Sequence, residues 1–87
     1  MLFDWDDPKN ERNARIRGLA FEDAALIFDG DVVEWRDQRR DYGEARMVAV
    51  GRVGDRFVTV VYVDRDGMRR IISAWPSNRK ERARWQG

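Results

Sequence analysis

The segment Phe57 to Val63 restricts the fold more than any other part of this chain. It is apolar on both faces, as a strand in the middle of a sheet must be. Turn signals bound it on either side. Val53-Gly54-Asp55 precedes it, and Asp64-Arg65-Asp66-Gly67 follows, with Asp-Gly the strong hairpin signal. A central strand between two tight turns needs antiparallel neighbours. The spacing supplies them as Arg46 to Arg52 and Met68 to Trp75. Val32 to Trp35 adds a short first strand, and Pro76 stops the last one because it has no N–H for the ladder. Between the first two strands, Arg36 to Gly43 is the most polar stretch and reads as a loop.

The N-terminal part reads as helical. Asp7-Pro8 is a helix start, with Asp as cap and Pro at the first helical position. Gly18 is placed to end that helix. Phe21, Ala24, Ala25 and Phe28 share one face of a second helix, which Asp29-Gly30 stops. After Pro76, Asn78 and Glu81 have capping-box spacing for a terminal helix. The predicted order is helix, helix, a four-stranded antiparallel meander, helix. That is an α+β domain spanning residues 1–87, with helices mainly on one face and the other face partly open.

Composition excludes several kinds of chemistry. The chain has 87 residues, enough for one modest core. It has no cysteine and no histidine, so a disulfide framework, a thiolate metal site and imidazole acid–base catalysis are all absent. No spacing suggests a metal or a cofactor, and none is expected. The apolar runs are far too short to span a membrane, and the acidic start has no signal-peptide shape, so a cytoplasmic protein is expected. The net charge of +1 conceals a division. Residues 1–34 carry nine acidic and four basic side chains, residues 35–87 seven acidic and thirteen basic. All the basic residues except Lys9 and Lys80 are arginine. Such asymmetry points to an anionic ligand for the second part, and Arg suits directed phosphate contacts.

Three groups of residues carry candidate chemistry. Asp37, Arg40, Tyr42, Gly43, Glu44 and Arg46 form the first and lead into a strand, where Glu44 and Arg46 point to one face. Taken alone, they make an ordinary ion pair. Arg69, Arg70, Ser73 and Trp75 lie on the last strand, followed by Arg79 and Lys80 at the basic helix. Strict alternation puts Arg69, Ile71, Ser73 and Trp75 on one face and Arg70, Ile72 and Ala74 on the other, unless a bulge intervenes. Parity does not say which face is open. Of the four tryptophans, Trp75 is placed to stack on a base; the others read as packing.

In its ordered set of residues the chain resembles the BrnT family of bacterial toxins, which are RelE-like ribonucleases. The resemblance runs through Phe3, Trp5, Asp6, Lys9 and Asn13, then Gly18, Phe21-Glu22, Ala25 and Phe28-Asp29. It continues through Tyr42-Gly43-Glu44, Arg46, Gly51 and Val60-Val61-Tyr62, and ends with Arg70-Ile71-Ile72-Ser73-Ala74 and Lys80-Glu81-Arg82. Two places depart from the family pattern. Ile16-Arg17-Gly18 stands where Lys-His-Gly is common, and Trp75 stands where Arg commonly follows Ile-Ser-Ala.

The resemblance implies the toxin of a type II toxin–antitoxin module, an endoribonuclease that arrests translation. It implies a BrnA-like ribbon-helix-helix antitoxin as partner, with operator DNA reached only through that antitoxin. The chemistry expected is metal-independent cleavage of RNA. Glu44 would be the base, with Tyr42 in reserve. Arg46 and Arg70 would stabilise transition-state charge. Arg69, Ser73, Trp75, Arg79 and Lys80 would hold substrate. Two other readings stay open: a catalytically weakened RNA- or partner-binding module that acts as co-repressor, and a domain whose surface charges share no ligand.

Overall fold

The structure, a computed structural model, describes residues 1–86; Gly87, the end of the predicted domain, lies outside the described residues. The elements are β1 (Leu2–Asp4), α1 (Asp7–Arg17), α2 (Phe21–Ala24) running into a 3₁₀ segment (Ala25–Asp29), β2 (Val33–Arg36), β3 (Met47–Val53), β4 (Arg56–Arg65), β5 (Met68–Pro76) and α3 (Arg79–Gln86). The α+β class and the meander β2-β3-β4-β5 match expectation. The sheet differs in having five strands, in the order β1-β5-β4-β3-β2. The extra strand, β1, pairs with β5 in parallel, so the sheet is mixed rather than antiparallel throughout. The second helix is a single α turn that tightens into 3₁₀.

Turn chemistry fixes the central hairpin. Asp66 and Gly67, the loop between β4 and β5, both have positive φ (55° and 76°), as a type I′ turn requires. Past this turn, β4 and β5 pair regularly up to Tyr62 and Ile71. The next partners are Val61 and Ser73, which leaves Ile72 as an extra residue on β5. This bulge overturns the simple alternation expected for the strand. Ile71 and Ala74 both enter the core on the helical face. Arg70, Ser73 and Trp75 share the other face with Val61 and Val63, while Arg69 stays with Ile71 on the helical side.

The main core lies between the sheet and the α2–3₁₀ segment. Phe21, Ala24 and Ile27 meet Ala49, Val58, Val60 and Tyr62 there. Gly51 permits the close approach, since a Cβ at that position would lie 2.8 Å from Ile27 Cβ. By contrast, α1 buries no residue. Hydrogen bonds tether it instead. Asn10 Oδ1 accepts from the Phe21 backbone N–H at 2.7 Å, and Asn13 Nδ2 donates to the carbonyls of Leu19 (2.8 Å) and Ala74 (2.9 Å). The last bond attaches α1 to the free edge of β5 beyond β1, which explains a helix whose ends are legible and whose apolar face is missing. Asp6, not Asp7, is its cap, accepting from the Lys9 N–H.

On the second face of the sheet, α3 covers one end. Trp85 meets Phe57 edge to face at 5.3 Å, and Thr59 and Ser77 share a buried hydrogen bond of 2.7 Å. The remainder of that face is open to the loop between β2 and β3. Among the described residues, no helix is long and apolar enough to cross a membrane.

Candidate ribonucleolytic groove

The open face carries a groove of about 510 Å³ between β1, β4, β5 and the start of β3. Val63, Met68 and Ile72 form an apolar floor, and Asp4, Glu44, Arg65 and Arg70 form the charged rim. Glu44 is held between two guanidiniums, 3.0 Å from Arg65 Nη2 and 3.5 Å from Arg46 Nε. Arg46 stacks on the Tyr42 ring at 4.1 Å. Arg70 reaches across to β1, where its Nη1 lies 3.0 Å from Asp4 Oδ2. Of the buried side-chain polar atoms among the described residues, two make no hydrogen bond, Asp4 Oδ1 and Arg46 Nε. Asp4 lines this groove and Arg46 adjoins it through Glu44.

Further depressions continue the groove along the loop between β2 and β3. Glu44 joins it to a hollow lined by Asp37, Arg40 and Tyr42. Asp37 in turn joins that hollow to one lined by Trp35, Arg39, Trp75, Glu81 and Arg84. A last hollow is shared by Arg17, Arg39, Trp75 and Asn78. The side chain of Asp37 is 1% exposed and grips Arg39 through two bonds of 2.7 and 2.8 Å. The guanidinium holds the Asp37 carboxyl well below the usual carboxylate range, at about 2.

The structure brings together Tyr42, Glu44, Arg46 and Arg70, and keeps Ser73 and Trp75 on the same face. Arg79 and Lys80 are exposed at the start of α3, beyond Trp75. Arg69 is separated from the rest. Its side chain is 13% exposed on the helical face, doubly bonded to Asp64 and stacked on Tyr62 and Phe28 at 4.1 and 4.6 Å. Asp64 raises the Arg69 pKa, and Arg69 lowers that of Asp64. Burial, with Glu34 beside it, pushes the Tyr62 phenol well up. This is a structural cluster under the sheet, placed away from the groove by the register of β5. Four charged residues of the open face were not anticipated: Asp4, Arg17, Arg39 and Arg65. Only Arg39 had a local signal, two residues after Asp37; the others are brought in by pairing distant in sequence.

The model of the family described as "Ribonuclease toxin, BrnT, of type II toxin-antitoxin system" matches residues 5–81. The chain belongs to the BrnT family. A search of curated proteins finds no match. The matched span contains every groove residue except Asp4, along with the loop and Trp75. The chain has no histidine, so imidazole, the commonest acid–base group, is absent from this groove.

Proposed function

We propose that this BrnT protein is a cytoplasmic, metal-independent endoribonuclease that inhibits translation and is neutralised by a BrnA-like ribbon-helix-helix antitoxin. The observation that carries the catalytic reading is the Glu44 carboxylate set between Arg46 and Arg65, on the rim that Arg70 also lines. Glu44 takes the proton of a ribose 2′-hydroxyl. The 2′-oxygen attacks the adjacent phosphorus, the bond to the 5′-oxygen breaks, and that oxygen takes up a proton from solvent water as Glu44 returns its own to solvent, so the products are a cyclic phosphate and a 5′-hydroxyl. Arg46, Arg65 and Arg70 neutralise the charge that gathers on the phosphoryl oxygens, and Tyr42 is the alternative base. Arg79 and Lys80, exposed at the start of α3, hold flanking phosphates. Positioned donors aimed at developing charge account for much of such catalysis, and losing one costs about 2.7–4 kcal/mol of barrier.

Cleavage of RNA by purified protein in the presence of a chelator tests this. Glu44→Gln and Arg70→Ala should each lower the rate by roughly a hundredfold or more while leaving the fold intact. A well-folded Glu44→Gln protein that cuts at the original rate would remove Glu44 from the mechanism. A second reading, a co-repressor that binds RNA or partner without turnover, is favoured by one observation: the guanidiniums of the groove are each already engaged by Asp4 or Glu44. Binding without cleavage by the unmodified protein, and unchanged by Glu44→Gln, would select it.

A further inference from the structure

Trp75 is held more firmly than a surface aromatic needs to be. Its indole N–H lies 3.1 and 3.2 Å from the two carboxylate oxygens of Glu81. Glu81 is itself fixed by the reciprocal cap of α3. Its Oε1 accepts from the Asn78 N–H at 2.8 Å, and its own N–H donates to Asn78 Oδ1 at 2.9 Å. The ring plane is thereby set by a helix terminus. Trp5 packs against the main core cluster, whereas Trp75 stands on the opposite face of the sheet. Two guanidiniums lie over Trp75, and they are held very differently. Arg39, 5.9 Å from the ring centroid, is locked by the two hydrogen bonds it donates to buried Asp37. Arg17, 5.5 Å away at the end of α1, makes one long bond of 3.4 Å to the Ala74 carbonyl. It has no ion-pair partner among the described residues.

We propose that Trp75 and Arg17 form a nucleobase slot, in which one unpaired RNA base stacks on the fixed indole by displacing the loosely held Arg17 guanidinium. Displacement is cheap on that side because the cation–π contact is exposed and its partner is a single weak bond. The freed guanidinium stays at the rim, able to stack on the outer face of the base or bind its phosphate, as a planar fork does. The slot lies along the run of hollows that begins at Glu44, so the base it holds belongs to a nucleotide flanking the scissile bond. This inference rests on the RNA reading above and adds a position-specific contact to it.

A short oligoribonucleotide blocked by 2′-O-methylation, with an abasic unit moved along it one position at a time, tests the slot by fluorescence anisotropy. One position should weaken binding to the unmodified protein about five- to a hundredfold, the range expected for loss of one stacked base. In Trp75→Leu that position should become indifferent, and in Arg17→Gln its effect should shrink. The abasic scan leaves the protein intact, so a folding defect in either variant does not blunt it. Tight binding with a flat scan would overturn the slot and spare the ribonuclease reading. No RNA binding at all would overturn both. Equal competition by an acidic peptide would also overturn the slot, because the surface would then be reading charge alone.

Discussion

Asp37→Asn replaces a buried carboxylate by its near isostere and so tests whether charge, rather than shape, holds the loop beside the groove. In the folded protein the Asp37 carboxyl is held at about 2 against an ordinary 3.8, chiefly by hydrogen bonds from Arg39. A depressed carboxylate stabilises the fold fully above its unfolded pKa, and that stabilisation disappears as pH falls through the folded value. The separation corresponds to about 2 kcal/mol at pH 7 and about 1 kcal/mol at pH 3. The Arg39 end of the pair is 62% exposed, which makes about 2 kcal/mol the upper end. In a domain of this size each kcal/mol moves Tm by about 4–8 °C. Asp37→Asn should therefore lower Tm by up to about 8–16 °C at pH 7 and by roughly half as much at pH 3. Thermal unfolding of both proteins, followed by circular dichroism at the two pH values, measures this directly. A gap that is the same at pH 3 as at pH 7 would refute the electrostatic account. No gap at pH 7 would show that the loop opens independently of the core.

Three further substitutions separate the roles assigned to groove and core. Asp4→Asn releases Arg70 from an ion pair that is almost half exposed at both ends, so Tm should hardly move while RNA cleavage rises by up to about fivefold; a slower enzyme would show that Asp4 helps rather than competes. Arg69→Ala removes a guanidinium packed on two rings and paired with Asp64, and should cost about 1–2 kcal/mol of stability with the turnover of folded protein unchanged; lost turnover at unchanged Tm would put Arg69 in the groove. Gly51→Ala forces a methyl to within 2.8 Å of Ile27 and 3.0 Å of Val32, and should destabilise by about 1–3 kcal/mol; an unaltered melting curve would mean that the 3₁₀ segment yields freely.

The parts of the fold legible in the sequence are those with local causes. Asp66-Gly67 fixes one hairpin, Gly54-Asp55 the other, and the apolar Phe57 to Val63 run can only be central. Asn78 and Glu81 cap α3 as their spacing suggests. What escaped has causes distant in the chain. β1 is three residues long and pairs in parallel, so no turn announces it, and its Asp4 meets Arg70 across most of the sequence. α1 carries no apolar stripe because two asparagines do the tethering. In the candidate groove, Tyr42, Glu44 and Arg46 could be grouped from the sequence because they are neighbours on one stretch. Arg65 could not, because it serves the hairpin end in sequence and the Glu44 carboxylate only in space.

The bulge at Ile72 connects these observations. Without it, Arg70 and Trp75 would lie on opposite faces of β5, since they are an odd number of residues apart. The extra residue reverses the parity after Ile71, so Ala74 returns to the core while Arg70 and Trp75 share the open face. The same step leaves Ile72 on the floor of the groove that Arg70 and Glu44 line. One irregular pairing thus satisfies two demands that regular alternation sets against each other. The core needs Ile71 and Ala74 on one side, and the proposed nucleic-acid track needs Arg70 and Trp75 on the other. Bulges commonly re-aim side chains beside active sites. Here the bulge accounts for why two adjacent arginines on one strand have unlike fates: Arg69 is fixed before the reversal among core aromatics, and Arg70 starts the open face that the reversal extends to Trp75.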